Sequence, residues 1–296
     1  MIWDVIDAVL IINLDGSTER WKKLVEHLKG RVPPEKIHRI SAVRGTNLSG
    51  YLKKPWFRSR TGERARTCAG AAGCVLSHAK ALRYALEHDN WQVVLILEDD
   101  ARINAERLER MTPQLISFMR HYPSWGLIYP GYHGIPRFSG DIGKGWEFFE
   151  WGWFNTYRCS GVLGTFSMLM HRRAWEKILR KLPDEKQVWR WIAKYKAIDY
   201  WLQHWFTPFH EVFHLSPPLV SCDDGLISDI SGFPVYSYSS SSPSAYLDEK
   251  RWRSRYSFCK RFFMKINIHL DGCIRLLGSR LRGYSGGCKN RRGKNW

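Results

Sequence analysis

Residues 93–103 read VVLILEDDARI, an apolar run over 93–97 that passes directly into Glu98, Asp99 and Asp100. A short, unbroken, β-branched run of this kind predicts a strand buried on both faces, as in the middle of a parallel sheet. Three adjacent carboxylates at its end repel one another and resist burial, so they need water, hydrogen-bond donors or a cation. If the chain stays extended, Glu98 and Asp100 point to one side and Asp99 to the other. Hard oxygen ligands suit magnesium or manganese, and those ions suit a diphosphate. Ligands of open α/β sheets bind outside the carboxyl ends of the strands, where this triplet would stand. A solvated strand end whose acids cap the next helix fits the same residues.

The flanking segments carry the same alternation. AVLIINL (8–14) predicts a first buried strand, and STERWKKLVEHLKG after it predicts a helix, with Ser17 or Thr18 as cap and Gly30 as stop. IHRISAV (37–43) gives a second strand, and residues 44–67 read as a long basic loop. CAGAAGCVLSHAKALRYALEHD (68–89) starts with small residues, becomes an amphipathic helix and leads into 93–97. Its Gly70–Gly73 run suits close helix–sheet packing better than phosphate binding, since no GxGxxG or Lys-bearing phosphate loop accompanies it. Further on, a helix broken or kinked near Pro113 is expected, then strands at 125–132, 164–172 and 211–220 and helices at RAWEKILRKL and 197–206. The Gly- and aromatic-rich stretch 133–162 reads as a pocket-shaping loop. The β-α-β-α-β opening predicts an α/β fold with a Rossmann-like, mainly parallel sheet flanked by helices.

The 296 residues divide into a domain over 1–235, a Ser-rich linker over 236–249 and a basic tail over 250–296. The formal net charge is +18, and the tail contributes most of it, with fourteen Lys and Arg against the single acid Asp271. Such a balance implies an anionic partner. The tail interleaves its bases with Phe, Tyr, Ile and Leu, which suits an interfacial helix on an anionic membrane surface or contact with a phosphorylated glycolipid. A solvated tail is the plain alternative, and nucleic acid is not expected because no nucleic-acid-binding fold is recognisable. Seven scattered cysteines form no CxxC pair and no Cys/His cluster at zinc spacing, and read as mostly reduced and mostly structural. No apolar run is long enough to span a bilayer, and the opening lacks a signal-peptide pattern, so a cytoplasmic, at most peripheral, location is expected.

In their order and spacing, IINLDGSTERWKKL, GAAGCVLSHAKALRYAL and VVLILEDDA resemble glycosyltransferase family 25, the lipooligosaccharide galactosyltransferase type that also includes the collagen galactosyltransferases. GTFSMLMHRRAWEKIL, AIDYWL and PPLVSCDDGLISDI are similar to the family's later segments, so the resemblance spans about residues 8–230. It implies a GT-A-like nucleotide-diphospho-sugar transferase fold and inverting transfer of a hexose, galactose above all, from a UDP-sugar. The acceptor implied is a glycan such as lipopolysaccharide or lipooligosaccharide.

By the same resemblance Glu98, Asp99 and Asp100 correspond to the motif for metal and donor phosphate, with Glu98 and Asp100 as ligands of Mn2+ or Mg2+. Asn13 and Arg20 correspond to the loop near the nucleotide, and Ser77 and His78 to a pair near ribose or sugar. For Arg20 a surface role, and for His78 a core hydrogen bond, are the plain alternatives. Inverting transfer needs one general base and no covalent intermediate. Asp199, at a helix start beside Tyr200 and Trp201, suits that base, with the aromatics stacking on a sugar ring; it also suits a helix cap. Asp229 follows the last strand and is placed to support the metal site or an acceptor loop, whereas Asp223 and Asp224 before Gly225 read as a turn. Two other classes fit the same features: a metal-dependent phosphohydrolase or nucleotidyltransferase, and an inactive transferase-like scaffold that binds anionic lipid or RNA through its tail.

Overall fold

The computed structural model describes residues 1–57, 63–133, 147–151, 154–158, 162–223 and 258–282. The linker expected at 236–249, Asp224 and Asp229 lie outside these residues. The chain opens with β1 (Ala8–Asn13), α1 (Thr18–Leu28), β2 (Ile37–Ser41), α2 (Glu63–Leu86) and β3 (Val93–Glu98). It continues through β4 (Ala101–Ile103), α3 (Ala105–His121), β5 (Leu127–Tyr129), β6 (Glu147–Trp151) and β7 (Phe154–Arg158). There follow β8 (Ser167–His171), α4 (Arg172–Leu179), α5 (Val188–Tyr195) and α6 (Ile198–Trp201), which runs on as a π-helical turn over Leu202–Phe206. The remaining elements are β9 (Val212–Ser216), β10 (Val220–Cys222) and α7 (Phe258–Arg282).

Eight strands form one sheet in the order β2-β1-β3-β8-β5-β9-β7-β6, and β10 pairs with β4 in a small ribbon. The opening strands β2, β1 and β3 are parallel, as their sequence patterns predict. The sheet as a whole is mixed rather than mainly parallel, because β8 runs antiparallel to both β3 and β5, and β7 antiparallel to β9 and β6. The physical reason lies in the connection. Between β5 and β8 lies the β6–β7 hairpin, and its reversal of chain direction leaves β8 antiparallel to β5.

Alternation along the central strands builds two cores. Ala8, Leu10 and Ile12 of β1 and Val94 and Ile96 of β3 face α2, α4, α5 and α6. Val9 and Ile11, with Val93, Leu95 and Leu97, face α1 and α3. Both faces of these strands are covered, which is why their sequences read as continuous apolar runs. Helix α3 passes through Pro113 without breaking: Met111, Leu115, Phe118 and Met119 on either side of it are all buried, and that anchorage outweighs the one lost backbone bond. The strand expected over 211–220 is two strands, since Pro217 and Pro218 carry no N–H to continue a ladder. Part of the expected 133–162 loop forms the β6–β7 hairpin at the sheet edge.

Helix α2 lies unusually close to the loop after β2. A Cβ on Gly73 would stand 2.4 Å from the Val43 carbonyl oxygen. At the same contact the Val43 N–H donates to Ser77 Oγ (2.8 Å), which donates onward to the Gly73 carbonyl (2.7 Å). The glycine run therefore packs helix against backbone. Gly73→Ala is expected to destabilise the fold by about 1–3 kcal/mol through this backbone clash, seen as a lowered Tm in thermal denaturation. A Tm equal to that of the parent would show that the approach is looser than described.

Candidate active site

The three carboxylates at the end of β3 meet three different surroundings. Glu98 continues the face of Val94 and Ile96 toward α2, where its Oε1 accepts from Thr165 Oγ1 (2.9 Å) and lies 3.3 Å from His78 Nε2. Asp99 turns to the opposite face, as alternation predicts. There Asn13 Nδ2 donates to one of its oxygens (2.7 Å) and Arg20 Nη1 to the other (3.3 Å). Asn13 is in turn held by Arg39, whose Nε and Nη2 donate to its Oδ1 (3.0 and 2.6 Å). The chain turns at Asp99 and Asp100, and Oδ1 of Asp100 is buried without a hydrogen bond.

These surroundings set different proton affinities. Burial pushes Glu98 up, but the His78 and Thr165 hydrogen bonds more than offset it and hold the carboxyl below its usual range. Burial raises Asp99 above its usual value against the opposing pull of Asn13 and Arg20. Asp100 has burial and then the neighbouring charges of Glu98 and Asp99 against it, and is pushed up to about 7. A buried carboxylate with an unused oxygen, beside two other acids, is what a divalent cation relieves. The oxygen donors of Glu98 and Asp100 are of the kind a hard cation takes, but the expectation that the two point to one side required an extended chain, and the chain turns at Asp99 and Asp100.

A cavity of about 520 Å³ opens over this strand end. Glu98, Asp99, Asp100, His78 and Ser77 line one side, and Ala197, Ile198 and Asp199 at the start of α6 line another. Arg20, Arg44 and Arg66 add cationic lining, and Arg44 and Arg66 are solvent-exposed. Asp199 accepts from the N–H of Gly164 (3.3 Å) and from that of Tyr200 (2.7 Å), and it faces the cavity from the first turn of α6, whose N-cap position is Ala197 rather than Asp199. The expected aromatic sugar platform is not available. Trp201 is buried in the core, and the Tyr200 ring is stacked on His204 (4.0 Å) with Lys196 and Arg275 over it (4.7 and 5.3 Å).

Most of the residues singled out from sequence thus converge on one cavity. Asn13 does not line it and acts from behind, by holding Asp99. Ser77 lines it, but its hydroxyl is engaged on both sides by the α2 contact. Asp223 pairs with Arg102 beside the β4–β10 ribbon, and the turn expected at Asp223, Asp224 and Gly225 runs outside the described residues. Sequence reasoning missed Thr165, His133, Cys74, Arg44 and Arg66. Only Cys74, one helical turn before His78, carried a signal in its spacing. One donor atom each from Cys74, His78 and Glu98 lie within 4.8 Å of one another, a group able to hold a metal ion, which corrects the expectation that no cysteine joins a Cys/His metal cluster.

Residues 6–124 match the model of glycosyltransferase family 25 (LPS biosynthesis protein). The matched part contains β1, α1, α2, β3 and the Glu98–Asp100 triplet, and it gives the chain a general glycosyltransferase-like character. No curated protein matches the chain. Among solved structures, A197 from STIV is similar over 79% of this chain and 95% of its own, at 10% identity and a TM-score of 0.38. A mutant Drosophila β1,4-galactosyltransferase 7, in complex with manganese, UDP-Gal and xylobiose, is similar over 88% and 79%, at 11% identity and 0.32. Mannose-1-phosphate geranyltransferase from Thermus thermophilus is similar over 71% and 73%, at 13% identity and 0.29. Overlaps this loose carry no argument about function.

The raised Asp100 has a consequence for stability. In the folded protein this carboxyl keeps its proton up to about pH 7, whereas an unfolded aspartate loses it near 3.8. Its contribution is therefore full below about pH 4 and declines as pH rises toward 7, since the unfolded chain gives up its proton first. Without metal, Asp100→Asn is expected to be more stable than the parent at pH 8, with the gap closing toward pH 4. Thermal denaturation of both proteins in chelator across that range checks this, and a pH-independent gap would contradict it.

Proposed function

We propose that the chain is a metal-dependent inverting glycosyltransferase that moves a hexose, most simply galactose, from a UDP-sugar to a glycan such as the oligosaccharide of a lipopolysaccharide. The observation that carries this reading is the Asp100 carboxylate, one oxygen of which is buried without a hydrogen bond, beside Glu98 in a cavity lined by three arginines. Glu98 and Asp100 would hold Mn2+ or Mg2+, which supplies charge neutralisation for the departing diphosphate. Arg44 and Arg66, exposed on the cavity lining, are suited to the diphosphate oxygens. Arg20 and Asn13 fix Asp99, and so fix the turn that aims Asp100.

Asp199 is the proposed general base. Two N–H groups orient its carboxylate, and lone pairs remain for an acceptor hydroxyl. It takes the hydroxyl proton as the acceptor oxygen bonds to the sugar's anomeric carbon and the bond from that carbon to the diphosphate breaks. Release of UDP from a panel of UDP-sugars, with and without manganese and with mixed glycan acceptors, tests the reading. Turnover of one donor is expected, reduced about a hundredfold or more in Asp100→Ala and about 10²–10⁴-fold in Asp199→Asn. Consumption of donor without an acceptor would favour a phosphohydrolase instead, and no turnover of any donor would remove the transferase reading.

The basic tail supports a second element of the proposal, contact with an anionic membrane surface. Helix α7 docks through one face on α5, where a Cβ on Gly272 would stand 3.0 Å from Lys194 Cε, and Arg280 lies over the Trp56 ring (5.9 Å). On its other side Ile266, Leu270, Ile274 and Leu277 form an exposed stripe at helical spacing. Among the described residues no helix is long and apolar enough to cross a membrane. Apolar stripe and cationic tail together suit a helix lying in the headgroup region. Co-sedimentation with phosphatidylglycerol vesicles is expected, with loss in the double variant Leu270→Asp, Ile274→Asp and little binding to phosphatidylcholine vesicles. Equal binding by parent and variant would exclude the stripe.

A further inference from the structure

Cys74 has no part in the proposed transfer, yet it reaches the same cavity floor as the carboxylates. Helix α2 places Cys74 and His78 four residues apart on one face, and β3 delivers Glu98 opposite them. Their donor atoms lie within 4.8 Å of one another, with His78 Nε2 and Glu98 Oε1 already at 3.3 Å. His78 is 1% exposed, and its Nδ1 is buried without a hydrogen bond. Thr165 braces the group from behind: its hydroxyl donates to Glu98 (2.9 Å) and lies 3.9 Å from Cys74 Sγ.

We infer that Cys74, His78 and Glu98 form a binding site for a thiophilic divalent cation of the zinc type. One sulfur, one imidazole nitrogen and one carboxylate oxygen make a borderline-soft donor set, which favours zinc or cobalt over manganese or magnesium. Tetrahedral bonds of about 2.0–2.3 Å put neighbouring donors roughly 3.5 Å apart, so no pair in the cluster has to close by more than about 1.3 Å. All three residues line the cavity, which leaves the fourth position open toward it. Binding converts the Cys74 thiol to a thiolate and releases one proton to solvent for each ion held. The site and the proposed hard-cation site share Glu98, so one ion excludes the other. On the transferase reading, zinc is then an inhibitor that competes with manganese.

Cobalt titration of the metal-stripped full-length chain tests the site without reference to catalysis. A thiolate-to-cobalt charge-transfer absorption with tetrahedral d–d bands is expected, reversed by zinc. Cys74→Ser should abolish the charge-transfer absorption and weaken zinc binding at least tenfold, and His78→Gln should weaken it likewise. Cys68→Ser, on the same helix outside the cluster, and Asp100→Asn should both keep the signal. Absence of the absorption in the parent chain, or its persistence in folded Cys74→Ser, overturns the inference. If the spectral signature appears while no UDP-sugar is turned over, the soft-metal site stands and only the transferase reading falls.

Discussion

The site is organised around a single electrostatic constraint: three carboxylates crowded at the end of one buried strand, too close to be charged together without compensation. The fold answers each one separately. Glu98 is met by an imidazole and a hydroxyl, those of His78 and Thr165. Asp99 is met by an amide and a guanidinium. Asp100 receives no hydrogen bond on its buried oxygen and carries the remaining unfavourable energy. A protein selected for stability alone would favour a neutral residue there, and it is on this uncompensated carboxyl that the proposed metal site rests.

How far the sequence could be read follows from what each signal depends on. Strands β1 and β3 and helices α1 and α2 are legible because their periodicities record local burial, and burial on both faces leaves a continuous apolar run. The opposite facing of Glu98 and Asp99 is legible for the same reason. The direction of β8 is not, since GTFSMLMHR packs identically whichever way the strand runs; only the preceding connection decides it. Thr165 and His133 reach the cavity through that reversed strand and the segment leading toward it, so no spacing in the chain could have announced them. The fate of Tyr200 was hidden for a related reason: its ring is covered by Arg275, a residue 75 positions away on α7.

The docking of α7 also changes how the tail is understood. A run of mixed bases and apolar residues reads equally well as a solvated extension, yet Gly272 lets the helix settle against Lys194 of α5, and the helix's own Arg275 and Arg280 lie over the rings of Tyr200 and Trp56. Cation–π contacts of this type are individually modest, about 0.5–2 kcal/mol. These two, with the close approach at Gly272, help hold the helix in register, so that it presents one face outward.

The antiparallel entry of β8 has a further meaning. A strand running against β3 begins where β3 ends, so Thr165, just before its first residue, arrives beside Glu98. The family match stops at residue 124, and this boundary runs through the cavity rather than around it. The wall with the acidic triplet belongs to the matched portion, while Thr165 and Asp199 come from the chain beyond. Such a division of ownership allows the two walls different histories: the charged one can be inherited with little change while the opposite one is reshaped to receive a new molecule.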